Sequence, residues 1–176
     1  CDRGCRVAVG ETYGASQRGG SVMSHVRVSM KMDPSVLIPS GEAHIIIGFE
    51  PLETLRMVRK YAGKDTTVVY DPRPVYPLGV LQGIQQYPAV EDIAAEIRDL
   101  TAMALAVPAA GIAMEAGDSK SANIALLGAF SQLPDAPLSR EDLEKILLQR
   151  FKGTVLEVNQ RAFAMGCEAA GKGAGL

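Results

Sequence analysis

Between Glu11 and Gly20 the chain places an arginine, a serine and a glutamine among three glycines, in the order ETYGASQRGG. Gly14, Gly19 and Gly20 permit backbone shapes that other residues resist. Arg18 adds a permanent charge with forked donors. A Gly-Gly pair beside an arginine can present a concave set of N–H groups to a phosphate or carboxylate, and Ser16 and Gln17 add neutral donors. The plainer reading is a loop that needs glycine for its path, with Arg18 in a surface ion pair. On residue types alone that reading weighs more.

Other polar residues carry less. Glu50 follows an apolar run and precedes Pro51, where open α/β sheets bind ligands. A carboxylate there also suits a helix start, and that is the reading favoured. His25 and His44 sit in separate strand-like segments and receive no catalytic role. Asp118 to Ser121 reads as a helix cap before a ligand loop. Asn123 and Asn159 suit either backbone bonding near helix starts or contact with a partner. No P-loop, GxSxG, HExxH or cysteine cluster is present.

These residues need elements to hold them. Cys5 to Val9 predicts a short strand and Glu11 to Gly20 a loop. Ser21 to Met30 alternates, with Val22, Val26, Val28 and Met30 on one face and Ser21, His25, Arg27 and Ser29 on the other, which predicts a half-buried strand. Asp33 to Glu42 predicts a loop and Ala43 to Gly48 a buried strand. Pro51 opens a helix through Leu52, Leu55 and Val58, with Gly63 as its C-cap. Thr66 to Tyr70 is the next strand, Asp71 to Pro77 an irregular connector, Val90 to Leu100 a helix and Met103 to Val107 a strand. Helices then follow over Ala109 to Ala116 and Ser119 to Gln132. Ser139 with Asp142 caps another, whose apolar stripe is Leu143, Ile146, Leu147 and Phe151. The last helix runs from Thr154 to Ala170, with Val155, Val158, Ala162 and Phe163 inward, before a frayed tail from Gly171 to Leu176. The pattern predicts an α/β, three-layer, Rossmann-like domain. Its largely parallel or mixed sheet is covered by helices, and its C-terminal part is helix-rich.

The bulk numbers fit one globular domain over 1–176 and exclude some partners. Apolar residues make up 47% and charged residues 22% of 176. A formal charge of −2 gives no footprint for nucleic acid and no polybasic cluster for an anionic membrane. The longest apolar run, Ala102 to Ala113, contains Pro108 and is too short for a bilayer. Three cysteines without a secretory signal predict reduced thiols and a cytoplasmic protein.

The segment ETYGASQRGGSVMSHVR, Glu11 to Arg27, resembles one carried by gamma subunits of 2-oxoacid:ferredoxin oxidoreductases, above all the indolepyruvate type. The similarity continues in LIPSGEAHIIIGFEPLETLR, Leu37 to Arg56. Weaker echoes lie at Ala122-Asn123 with Leu126 to Gly128, and at Asn159 to Phe163. The family opens with a strand, a GxGGQG-type turn and a helix. These are absent here, a difference of roughly 25 residues from typical element lengths.

The resemblance implies a subunit, not catalytic alone, of a complex that oxidatively decarboxylates a 2-oxoacid to an acyl-CoA. It implies that Tyr13, Gly14, Ser16, Gln17, Arg18, Gly19 and Gly20 help to enclose coenzyme A, with no metal ligand on this chain. Thiamine diphosphate, Mg and iron–sulfur clusters would belong to partner subunits. Partners would be thiamine-binding and other oxidoreductase subunits, with ferredoxin reached through the complex and a homodimer left open. The alternatives are a pure scaffold subunit and a stand-alone nucleotide-binding α/β protein.

Overall fold

The structure, a computed structural model, describes residues 4–13, 22–31 and 33–173. Among the described residues five strands fall into two sheets. β1 (Arg6–Tyr13) and β2 (Val22–Ser29) form an antiparallel hairpin, and β3 (Ala43–Gly48), β4 (Ala62–Tyr70) and β5 (Met103–Ala106) form a parallel sheet in that order. Parallel neighbours need a crossover. α1 (Pro51–Tyr61) supplies the first, and the second passes through α2 (Leu78–Leu81) and α3 (Val90–Leu100). The fold is α/β, as the pattern predicts. The antiparallel part stands as a sheet of its own.

The pleat of the parallel sheet sorts its side chains into two cores. Ile46, Val68, Tyr70 and Ala104 turn to α1 and α3, where they meet Leu55, Val58, Ile93 and Ile97. Ile45, Ile47, Val69 and Leu105 turn the other way, to α4 (Ala109–Ala116), α5 (Ala122–Phe130), α6 (Arg140–Arg150) and α7 (Gly153–Gly173). This gives helix, sheet, helix in three layers, with the helix-rich C-terminal part forming one whole layer.

Local chemistry sets most boundaries. Pro51 stands in the first turn of α1, and the Glu50 carboxylate accepts the Glu53 N–H at 2.7 Å. Ser139 and Asp142 form a capping box at α6. Gly117 closes α4 at φ 117°, a left-handed conformation that favours glycine.

Several expectations are corrected. Gly63 does not cap α1: the helix ends at Tyr61 and passes straight into β4 through extended Ala62. Glycine is needed there for a different reason, since a Cβ would lie 2.6 Å from the Gly41 carbonyl oxygen. β1 runs to Tyr13 rather than Val9, so the loop begins three residues later than its first polar residue. α2 arises just after the expected connector, in the stretch 78–89 for which the pattern predicted no element. A 3-10 turn over Ser119–Ser121 precedes α5, which stops at Phe130. Ile146 and Val155 face solvent rather than the core.

α5 and α7 approach at backbone distance. A Cβ on Gly128 would lie 2.2 Å from the Phe163 carbonyl oxygen, and one on Gly166 would lie 2.0 Å from that of Ala125. The segments Leu126 to Gly128 and Asn159 to Phe163 therefore serve this helix crossing. Gly166→Ala should cost about 3 kcal/mol, because backbone rather than a side-chain tip must yield. That corresponds to a Tm lower by about 6–12 °C in a chain of this length. Gly111→Ala, in α4 with nothing near its Cβ, should raise Tm slightly. Paired thermal melts check the contrast; equal effects would refute the close crossing.

Candidate functional site

The glycine-rich loop is carried by the hairpin. Pairing runs without a break from Arg6↔Ser29 to Tyr13↔Val22, so the loop joins the two strands at that end. Gly14, Ser16, Gln17, Arg18, Gly19 and Gly20 lie outside the described residues, as does the side chain of Tyr13, whose backbone ends β1.

What holds the hairpin is its inner face. His25 is 3% exposed. Its Nδ1 accepts the Ile38 N–H at 3.1 Å, and its ring meets that of Tyr61 edge-on at 5.2 Å. Accepting at Nδ1 leaves Nε2 as the protonated nitrogen of the neutral ring. Opposite His25 lies Gly10, where a Cβ would come within 2.4 Å of Val36 Cγ1. Arg27 Nη1 donates to the Leu37 carbonyl at 2.9 Å and to the Ser35 hydroxyl. At the far end Arg6 and Asp33 are 3.3 Å apart. The segment 33–38 thus straps the inner face of the hairpin.

This arrangement decides which face of half-buried β2 is covered. The alternating pattern holds, but the polar set, with His25 and Arg27, turns inward. Val22, Val26, Val28 and Met30 turn to solvent, joined by Val7 and Val9 of β1. Polar inward residues find backbone partners in the strap, which satisfies them as burial requires.

The C-terminal edge of the parallel sheet is occupied by structural bonds. The Glu50 carboxylate caps α1 and also accepts the Tyr87 hydroxyl, and burial together with this bond pushes the Tyr87 hydroxyl well above the usual phenol range. Buried Asp71 accepts the N–H of Arg73 at 3.0 Å and that of Ala110 at 2.8 Å, tying β4 to the start of α4. A groove of about 490 Å³ lies along α1, lined by Arg56, Arg59, Val80, Gln85 and Tyr87 among others. Both its guanidinium groups are already matched: Arg59 makes a forked pair with Glu96 at 2.6 and 2.7 Å, and Arg56 pairs with Glu53. Asp118 and Asn159 bond to nearby backbone, Asp118 at the turn before α5 and Asn159 to Val155 within α7. Among the described residues no three of His, Cys, Asp and Glu are grouped to hold a metal ion, and no helix is long and apolar enough to cross a membrane.

Sequence comparison gives a match between residues 1–169 and the family described as "Pyruvate ferredoxin/flavodoxin oxidoreductase". The "Indolepyruvate oxidoreductase subunit IorB" of Thermococcus kodakarensis is 36% identical over 174 residues, which are 98% of this chain and 85% of that protein. Among solved structures, a "2-oxoglutarate:ferredoxin oxidoreductase from Magnetococcus marinus with 2-oxoglutarate, coenzyme A and succinyl-CoA bound" aligns at TM-score 0.65 and 25% identity, covering 96% of this chain but 26% of its own. The gamma subunit of a keto/oxoacid ferredoxin oxidoreductase from Geobacter sulfurreducens aligns at TM-score 0.64 and 22% identity, covering 97% of this chain and 83% of its own, and shares the fold.

The anchoring of the hairpin is testable. His25→Leu removes the acceptor for the Ile38 N–H at a part-buried site, at a cost of about 1–2 kcal/mol. Amide exchange across 6–13 and 22–29 should quicken, while the amides of β3 to β5 keep their protection. His25→Asn, which retains an acceptor, should lose less. Unchanged exchange in the hairpin of His25→Leu would remove the anchoring role.

Proposed function

The chain belongs to the pyruvate ferredoxin/flavodoxin oxidoreductase family, and on that premise we propose that it is the gamma subunit of an indolepyruvate-type 2-oxoacid:ferredoxin oxidoreductase. The reaction joins a 2-oxoacid to coenzyme A, releases CO₂ and passes two electrons to ferredoxin or a similar acceptor. We take residues 1–176 as one gamma-type domain, with Tyr13, Gly14, Ser16, Gln17, Arg18, Gly19 and Gly20 set to enclose part of coenzyme A. The observation that carries this is the hairpin: its strands are held by the strap at 33–38, and they carry the loop between Tyr13 and Val22.

Decarboxylation of a 2-oxoacid needs an electron sink, which thiamine diphosphate supplies when bound; we assign it, with Mg and the iron–sulfur clusters, to partner subunits. The work of this chain is binding. Arg18 meets an anionic part of coenzyme A, and the N–H groups near Gly19 and Gly20 add neutral donors. The described polar groups at the sheet edge, Glu50 and Asp71, are engaged in capping and leave the loop as the better candidate. A scaffold role without ligand contact draws support from the exposed apolar side chains at Val75, Leu78, Leu81 and Ile84, a second surface fit for neighbouring protein.

Arg18→Ala in the reconstituted complex separates the two. Loss of a charge-assisted hydrogen bond, roughly 1.5–3 kcal/mol, lowers kcat/KM for coenzyme A about ten- to hundredfold. Arg18→Lys restores part, because the ammonium keeps charge but not the fork. Steps that precede coenzyme A entry, followed by release of CO₂ without it, change far less. An unchanged coenzyme A dependence with a dissociated complex would favour the scaffold; no change in either would discard the loop as a site.

A further inference from the structure

His25 holds the Ile38 N–H only while its ring is neutral. Nδ1 accepts that N–H at 3.1 Å, and an imidazole that gains a proton becomes a donor at both nitrogens. A backbone N–H has no lone pair to offer in exchange, so a charged ring would set donor against donor. Imidazole is also the side chain whose charge changes between about pH 5 and 8. The bond that seats the hairpin is thus of a kind that pH can switch.

The surroundings offer a charged ring no replacement partner. From the strap 33–38 the one titratable group is Asp33, which is 88% exposed and pairs with Arg6 at the far end of the hairpin. From β1, Gly10 stands opposite His25, with uncharged Ala8 on the same side. On β2 itself the next inward charge is Arg27, a cation bonded to the Leu37 carbonyl at 2.9 Å. From α1 come Tyr61, edge-on to the imidazole at 5.2 Å, and Lys60, whose ammonium lies 5.0 Å from the Tyr61 ring centre. An aromatic ring can stabilise a cation, but the Tyr61 ring already holds that of Lys60. A charged His25 would therefore sit between two like charges, in a site only 3% exposed to water.

We propose that His25 is a pH-sensitive latch: neutral, it fastens the hairpin to the strap; charged, it lets the hairpin loosen while the parallel sheet and its helices stay folded. Opening gives the ring water and room for its proton. The opened hairpin then binds more protons than the seated one, so seating strengthens as pH rises and weakens as pH falls. The two cores do not share this dependence, because His25 belongs to neither. The latch stands whether or not the chain meets coenzyme A.

Amide exchange of the full chain at about pH 8 and about pH 5 tests this. It is read as protection factors, which remove the intrinsic effect of pH on exchange. Acidification should cut protection across 6–13 and 22–29 roughly five- to thirtyfold, the loss of about one hydrogen bond at a part-buried site, while β3 to β5 keep theirs. His25→Asn keeps a side-chain acceptor without a titrating ring, so its hairpin should be protected alike at both pH values. Equal losses in the two proteins would overturn the proposal, since groups such as the Arg6–Asp33 pair would then carry the effect. If His25→Asn fails to fold, the ring nitrogen shifts of His25 in the unaltered chain decide, with exposed His44 as the reference. Proton uptake by His25 in step with loss of hairpin protection is the expected result. Uptake while the hairpin amides stay protected would overturn the latch.

Discussion

A single hydrogen bond, from the Ile38 N–H to His25 Nδ1, decides which side of the hairpin meets the body of the protein. With His25 turned inward, the period of two forces Met23, Arg27 and Ser29 to that side as well, and forces Val22, Val26 and Val28 out. Gly10 makes the choice steric as well as electrostatic. A Cβ at that position would lie 2.4 Å from Val36 Cγ1 and 3.1 Å from the Val36 carbonyl oxygen, so the strap would have to shift to admit it. The inward polar residues would suffer in an apolar core, but here His25 and Arg27 reach backbone or side-chain partners in the segment 33–38, and Ser29 accepts the Lys31 N–H.

The rest of the molecule is a conventional platform for this hairpin. Its stability comes from burial on both sides of a three-stranded parallel sheet, with Val68 and Tyr70 facing one helical layer and Val69 the other. The tight points are glycines at which one backbone touches another, as at Gly128 and Gly166 between α5 and α7. Tyr61, at the end of α1, connects platform and hairpin through its contact with the His25 ring. The strands that carry the loop thus rest on elements whose geometry is set by the core.

Much of the platform was legible in the order of residues. Pro51 after an apolar run marks a helix start by its missing donor, and Ser139 with Asp142 marks another by reciprocal capping. The alternation of Ser21 to Met30 identified a strand with two unlike faces. It could not say which face is covered, because periodicity reports that two sides differ and burial depends on the partner. Here the polar side is the covered one, because the strap at 33–38 offers it backbone partners. Gly63 was misread for a related reason: glycine serves caps and close approaches alike, and the approach to Gly41 is a tertiary fact. α2 buries none of its residues, so no apolar stripe announced it. The loop from Gly14 to Gly20, outside the described residues, stood out only through its resemblance to a family segment, since its residue types alone weighed toward a plain surface turn.

The central claim is that the hairpin turns its polar side to the body of the protein and its valine side outward, with the bond from the Ile38 N–H to His25 Nδ1 holding that choice. Nuclear magnetic resonance coupling across this hydrogen bond, between the Ile38 amide nitrogen and His25 Nδ1, measures that most directly. The coupling should be present in the folded chain. Its absence, with Val26 and Val28 shielded from solvent and His25 open to it, would contradict the account.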